Sequence, residues 1–127
     1  MVVKDGIIIA TGRNRREQGK SAVCHAEIEA IDSACKRLGG WRLWQCELYV
    51  TLEPCPMCAG AIINARIPRV FYGAKDEKAG SCGSVINLFE LPYNHKPELI
   101  GSNILKEFFQ ALRLNKATQP KWKPPQT

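Results

Sequence analysis

The sequence predicts a single α/β domain, and three observations support this fold class. The chain has 127 residues, a length that suits one domain. Its composition, 45% hydrophobic and 24% charged, is typical of a globular protein. Segments with strand-like alternation are followed by segments with helical periodicity, as in a sheet covered by helices. We therefore expect one domain over residues 1–115 and a disordered, basic, proline-containing tail over residues 116–127.

The first elements are a hairpin, a basic loop and a helix. Asp5-Gly6 separates two apolar runs and can supply the positive φ angles of a tight turn. The polar stretch 12–20 is expected to be a loop. From His25, apolar side chains at three- and four-residue steps predict a helix that ends at Gly39-Gly40. The apolar face expected for this helix consists of Ile28, Ile31, Cys35 and Leu38.

The rest of the domain is predicted to contain two further strands and two further helices. Alternation in ELYVTL predicts a strand with Leu48, Val50 and Leu52 on one face. CPMCAGAIINA follows as a helix with proline in its first turn, where the missing N–H is not needed. The segment 69–73 reads as a strand, and a polar, glycine-rich loop comes after it. An amphipathic last helix is expected around residues 104–112.

The charge of the chain points to a class of partner. The formal net charge is +6, and the excess is concentrated in GRNRREQGK and in the tail. Basic clusters attract phosphate backbones, so nucleic acid is the favoured partner, with solvated lysines that aid solubility as the alternative. No apolar run approaches the roughly 20 residues that cross a membrane, and the start lacks a signal-peptide layout. We expect no membrane partner, a cytoplasmic location and reduced thiols.

The cysteine pair in TLEPCPMCAG is the main candidate for chemistry. Cys55 and Cys58 fall in the first turn of a predicted helix, where the helix dipole and free N–H groups stabilise thiolates. His25 lies at the start of the other helix. One His and two Cys would form a catalytic metal site whose fourth position is left for water. Glu27 can share this site where the helix is just starting, and a carboxylate there can move protons.

Each of these residues also has a plainer interpretation. Cys-Pro-x-Cys is the form of a redox pair, but such pairs come early in their fold, whereas this one follows a helix and a strand. A structural zinc site would need a fourth ligand, for which Cys24 beside His25 is the candidate. Adjacent residues rarely both point inward. His25 alone would be a core histidine, and Glu27 alone a surface residue. The combination of all four favours a catalytic metal site.

Two motifs together identify a family resemblance. His25-Ala26-Glu27 followed by Pro54-Cys55-Pro56-Met57-Cys58 resembles the signature of the zinc-dependent nucleobase deaminases. Longer pieces, among them HAEIEAI and TLEPCPMCAGAI, resemble the bacterial tRNA-specific adenosine deaminases of the cytidine/deoxycytidylate deaminase-like superfamily. The likeness covers about residues 2–95 and resumes at NILKEFFQALR. It implies a three-layer α/β/α fold with a central mixed sheet. Relatives begin with a helix before the first strand, and the resemblance implies that this first helix is missing here.

The resemblance also implies roles for individual residues. His25, Cys55 and Cys58 would hold one Zn²⁺, and Glu27 would be the catalytic proton shuttle rather than a ligand. The residues that would bind the nucleotide are Asn14 at the extruded base, the backbone of Ala26 beside it, and Asp76 in the loop lining sugar and phosphate.

The implied reaction is hydrolytic deamination of the wobble adenosine of a tRNA anticodon to inosine. The implied partners are the tRNA anticodon stem-loop and a second copy in a homodimer, and no DNA is expected. A deaminase of a free base, nucleoside or nucleotide, of the cytidine, dCMP or guanine type, is one alternative. The basic excess and the matches at Asn14 and Asp76 argue against it. An inactive zinc-folded fragment is the other, and the retained Glu27 argues against that.

Overall fold

The computed structural model describes residues 1–13 and 25–101. These residues form a five-stranded sheet, two α-helices and a 3-10 helix at Leu88–Glu90, which lies between the fourth and fifth strands in the chain. The strands are β1 (Val2–Lys4), β2 (Ile7–Ala10), β3 (Cys46–Leu52), β4 (Arg69–Ala74) and β5 (Glu98–Gly101). The helices are α1 (Ala26–Leu38) and α2 (Pro56–Asn64).

The sheet is mixed, as predicted. Its strand order is β2-β1-β3-β4-β5. β1 runs antiparallel to β2 and β3, whereas β3, β4 and β5 are parallel to one another. Because β3 and β4 are parallel neighbours, α2 forms the crossover between them. The carboxyl ends of these strands therefore meet at one edge, which is where α/β sheets commonly bind ligands.

The predicted hairpin is confirmed. Asp5 and Gly6 adopt φ angles of 52° and 75°, and Lys4 pairs with Ile7 across this two-residue turn. Two consecutive positive φ angles twist the turn in the sense that suits the two strands.

The main core lies between the sheet and the two helices. Ala30, Ile31 and Ala34 of α1 are buried in it, together with Leu48 and Val50 of β3. The prediction that Leu38 belongs to the buried face is wrong, because Leu38 is 39% exposed. Ala30 and Ala34 lie one turn apart, and their small side chains let α1 approach the sheet closely. The contact between α1 and the sheet therefore follows these alanines rather than Leu38. The predicted inward position of Leu52 is also wrong, since this last residue of β3 is 48% exposed.

The other face of the sheet carries a second apolar cluster. Val3, Ile8, Tyr49 and Phe71 are buried there, and the rings of Tyr49 and Phe71 stack with centroids 4.5 Å apart. β3 is consequently buried on both faces, which is typical of a strand inside a parallel part of a sheet. The simple alternation predicted for β3 describes only one of its two buried faces.

Some elements differ from prediction or lie beyond the described residues. β5 and the 3-10 helix were not predicted. The predicted helix around 104–112, most of the basic loop at 12–20, the boundary at 115 and the tail 116–127 lie outside the described residues and stay predictions. Within residues 1–13 and 25–101, no helix is long and apolar enough to cross a membrane.

Candidate metal and substrate site

Three predicted ligands meet where the two helices begin. His25 is the N-cap residue of α1, Cys55 is the N-cap residue of α2, and Cys58 lies one turn further along α2. Nδ1 of His25 is 3.6 Å from Sγ of Cys55 and 3.4 Å from Sγ of Cys58. All three ligand atoms lie within 4.8 Å of one another. The tertiary structure thus brings together residues 30 and more positions apart in sequence.

The cluster has the dimensions of a tetrahedral metal site. Bonds of about 2.3 Å to sulfur and about 2.0 Å to nitrogen, at tetrahedral angles, separate the ligand atoms by about 3.5 Å. The two measured separations, 3.6 and 3.4 Å, agree with that value. An imidazole and two thiols are also a donor set that suits zinc. The cluster could therefore hold a metal ion.

Helix geometry explains why the ligands converge. Both N-cap residues have an extended rather than a helical backbone, with ψ of 150° at His25 and 175° at Cys55. Their side chains therefore point away from the helix instead of lying along its surface. Pro56 occupies the first helical position of α2, where its fixed φ starts the helix directly after Cys55. Helix N-termini present free N–H groups and positive dipole ends, which favour thiolate ligands.

Glu27 lies beside the cluster, in the first turn of α1. Burial raises the pKa of the Cys58 thiol well above its usual range. A hydrogen bond to the Glu27 carboxylate and the proximity of Cys55 raise that pKa further. The hydrogen bond places Glu27 within direct reach of the ligand atoms. A metal cation would reverse the protonation preference, because it binds the thiolate and releases the proton.

A pocket of about 530 Å³ opens onto these residues. This volume falls within the range that is usual for small-molecule sites. The residues that line it are Gly12, Arg13, His25, Ala26, Glu27, Thr51, Leu52, Glu53, Cys55, Asp76 and Ala79. The exposed Leu52 is accounted for by this pocket, because the end of β3 forms part of its wall.

Gly12, which was not singled out from the sequence, shapes one wall of the pocket. A Cβ built at Gly12 would lie 2.2 Å from the carbonyl oxygen of Ala26 and 2.8 Å from the amide of Ala30. Only glycine allows the chain after β2 to approach α1 this closely. This contact holds the backbone of Ala26 at the pocket.

The predicted substrate-binding residues are only partly within the described chain. Asp76 lines the pocket, and its Oδ1 accepts hydrogen bonds from the amides of Lys78 at 3.1 Å and Ala79 at 3.2 Å. Its carboxylate therefore also shapes its own loop, a use that the sequence did not reveal. Asn14 lies outside the described residues, as does Cys24, the candidate fourth ligand of a structural zinc site.

The chain is similar to known deaminases over most of its length. Residues 1–113 match the family model of the MafB19-like deaminases. The chain is 46% identical over 125 residues to the tRNA-specific adenosine deaminase of Bacillus subtilis, covering 91% of this chain and 77% of that protein. It is 43% identical over 122 residues to the enzyme of the same name from Aquifex aeolicus, covering 91% and 81%.

Solved structures with similar folds are also deaminases. One, from work on A-to-I editing by tRNA:A34 deaminases at the wobble position of transfer RNA, has a TM-score of 0.78 and 44% identity, over 84% of this chain and 77% of that one. A guanine deaminase from Bacillus subtilis has a TM-score of 0.59 and 38% identity, over 89% and 76%. These neighbours confirm the predicted cytidine deaminase-like fold, and the first of them matches more closely than the second.

Proposed function

We propose that this chain, which belongs to the MafB19-like deaminase family and to the tRNA-specific adenosine deaminases, converts the wobble adenosine of a tRNA anticodon to inosine. The observation that carries this proposal is the cluster of His25, Cys55 and Cys58 with Glu27 at the edge of one pocket. A hydrolytic deaminase needs these groups together, and relatives over 40% identical carry the name of this activity.

The three clustered residues would hold one Zn²⁺. His25 would bind it through Nδ1, which faces both thiols, and Cys55 and Cys58 would bind it as thiolates. When bound there, the ion lowers the pKa of a water molecule to about 7 and so supplies a nucleophile for the substrate.

Glu27 moves the protons of the reaction. Its carboxylate takes a proton as the oxygen of water adds to C6 of the base, and delivers it to the neighbouring ring nitrogen. A further proton transfer through Glu27 accompanies cleavage of the C6–N bond, and ammonia leaves. The position of Glu27 two residues after His25, in the first turn of α1 and with its carboxylate hydrogen-bonded to the Cys58 thiol, supports this role. The overall change is adenosine plus water to inosine plus ammonia.

The substrate is the anticodon stem-loop of a tRNA, with the reacting base turned into the pocket. Bases in a single-stranded loop can be splayed out at little expense, unlike bases in a helix. Asn14 and the backbone of Ala26 hold the base, and Asp76 lies beside the sugar and phosphate. The net charge of +6 favours binding to phosphates. The chain acts in the cytoplasm, as a homodimer.

The deciding experiment measures inosine formation in an anticodon stem-loop with adenosine at the wobble position. The same RNA with cytidine there, and free guanine, are the comparison substrates, because guanine deaminases share this fold. We expect inosine from the first RNA and no product from the others. Turnover of guanine or cytidine with none of the adenosine RNA would replace this proposal with one of the alternatives.

A matched pair of variants separates catalysis from zinc binding. Glu27→Gln should retain one zinc per chain and lose turnover, because an amide cannot carry the proton. Asp32→Asn, on the same helix, alters an exposed carboxylate that pairs with Lys36 at 3.0 Å, and turnover should be unchanged. Equal turnover in Glu27→Gln and the wild type would refute the role of Glu27.

A further inference from the structure

Glu53 is a buried carboxylate next to the metal-ligand cluster, and neither the sequence nor the reaction accounts for it. It follows β3 directly, stands two residues before Cys55, and is 3% exposed. A buried charge of this kind is destabilising unless hydrogen bonds satisfy it. The groups that donate hydrogen bonds to Glu53 therefore show which part of the chain this side chain holds in place.

Within residues 1–13 and 25–101, four hydrogen bonds reach the carboxylate, and all of them come from one loop, residues 75–84, which follows β4. Oε1 accepts from the amide of Asp76 at 3.4 Å and from the hydroxyl of Ser84 at 2.5 Å. Oε2 accepts from the amides of Cys82 and Ser84, each at 3.1 Å. The donors lie near both ends of loop 75–84, so the whole loop is tied to one side chain.

The backbone beside Glu53 adds further connections. The amide of Glu53 donates to the carbonyl of Ala74 at 2.8 Å, and the amide of Ser81 donates to the carbonyl of Pro54 at 2.8 Å. The first bond joins the end of β4, and the second joins loop 75–84, to the two residues that lead directly into the ligand Cys55. The loop and the metal-ligand segment therefore form one connected unit.

Close packing at Gly80 shows that the loop lies directly against the carboxylate. A Cβ at Gly80 would be 2.3 Å from Oε2 of Glu53 and 2.4 Å from the carbonyl oxygen of Asp76. An ionised carboxylate is an acceptor only, which suits four donors.

Asp76 is consequently fixed from two sides. Its amide donates to Glu53, and its own Oδ1 accepts from the amides of Lys78 and Ala79. Asp76 and Ala79 both line the pocket. The side of the pocket formed by loop 75–84 is therefore located relative to Cys55 by the Glu53 side chain.

We infer that Glu53 is a positioning residue for substrate binding, which sets loop 75–84 and Asp76 at a fixed place relative to the metal-ligand cluster without touching the substrate itself. This inference rests on the proposed function, because Asp76 is assigned there to the nucleotide. Disturbing Glu53 should weaken RNA binding more than it slows the chemical step.

Glu53→Gln is the sharpest test, since it keeps the size of the side chain. If the side-chain oxygen of the glutamine occupies the position of Oε2, the backbone amides of Cys82 and Ser84 keep their acceptor. The Ser84 hydroxyl can rotate to accept a hydrogen bond from the new NH₂ group. The new NH₂ group then faces the amide of Asp76, which loses its acceptor. We expect KM for the adenosine stem-loop to rise about tenfold, the effect of roughly one lost hydrogen bond, with kcat and zinc content nearly unchanged. Glu90→Gln, at an exposed glutamate outside the pocket, is the control and should leave KM unchanged.

A second measurement does not depend on the substrate. Amide hydrogen exchange should show loss of protection at Asp76 in Glu53→Gln, and smaller losses at Cys82 and Ser84. Ser84→Ala removes one donor only, should raise KM by a few-fold, and serves if Glu53→Gln does not fold.

The outcomes are distinct. A rise in KM together with faster exchange in loop 75–84 supports the inference. A fall in kcat that tracks zinc content, with KM unchanged, shows a purely structural role and overturns it, as does unchanged exchange in the loop. If the wild type makes no inosine, the proposed function fails, while the exchange experiment still decides whether Glu53 holds the loop.

Discussion

The two ends of α1 are built by different rules. At its C-terminal end, Gly39 adopts a left-handed φ of 73°, and the amides of Gly39 and Gly40 donate to the carbonyl of Cys35. Lys36 and Arg37 lie in the last turn, where positive charge complements the dipole. At its N-terminal end, His25 occupies the N-cap position, and its side chain makes no capping hydrogen bond within the described residues.

α2 begins in the same way as α1. Cys55 is its N-cap residue, and no capping bond from its side chain is found among the described residues either. Ser, Thr, Asp or Asn at such a position contributes about 1 kcal/mol over an uncapped helix. Both helices lack this stabilisation at the end where they carry the proposed metal ligands. Local stability rules are therefore broken at the candidate site and followed away from it.

The largest effect is expected from removing a ligand at the uncapped end. Cys55→Ser should weaken zinc binding by more than about 100-fold, because losing a group that merely supports a ligand already costs roughly 10–100-fold. Inosine formation should be lost with the metal. Zinc content by metal analysis and turnover on the stem-loop are the measurements.

Cys35→Ser, near the other end of α1, is the matched control. Cys35 is a half-buried free thiol that donates a hydrogen bond to the carbonyl of Trp41 at 3.9 Å. The Cys35→Ser variant should retain zinc and activity. Equal zinc loss in both variants would mean that the ligand assignment at Cys55 is wrong.

A smaller effect is expected at the regular end of the helix. Gly39→Ala should lower the free energy of unfolding by about 1–2 kcal/mol, because alanine is strained at a φ of 73°. Gly40→Ala provides the comparison: a Cβ there meets nothing within 4 Å, and Gly40 has no positive φ. Urea unfolding of the two variants should separate them clearly. Equal stability would show that Gly39 does not determine how α1 ends.

The smallest effect would come from restoring a cap at the uncapped end. In the presence of a chelator, His25→Asn should raise the free energy of unfolding of the metal-free protein by about 0.5–1 kcal/mol. His25→Ala, which loses the ligand without gaining a cap, should show no such increase. If the two variants are equally stable, other groups already bond to the free N–H groups at the N-terminus of α1. The two ends of the helix would then differ less in their capping than proposed.

Local patterns predicted most of the secondary structure. The hairpin turn, α1 with its end at Gly39, and β3, α2 and β4 follow from turn residues, periodicity and proline placement. The exposure of Leu38 and Leu52 was not predicted. Periodicity indicates which face of a helix or strand is apolar, but not at which residue of that face the buried core ends. β5 is four residues long and is stabilised by pairing with β4, which local sequence cannot show.

The candidate site, like the fold, could be predicted only in part from the sequence. Motif spacing named His25, Cys55, Cys58 and Glu27, and the described structure places them together. Glu53 was overlooked, although a charged residue between a strand and Pro54 was a signal. Its partners lie 23 to 31 residues further along the chain, in a loop whose course depends on tertiary contacts.

The chemical groups and the elements that carry them can be predicted from the sequence, because turns, helix starts and ligand types depend on neighbouring residues. Which of these groups meet depends on the fold, since hydrogen bonds and close packing act between distant segments. Gly12 against α1, and Gly80 against Glu53, are contacts of this second kind. They bring the pocket walls to the metal-ligand cluster, and no local pattern encodes their distance.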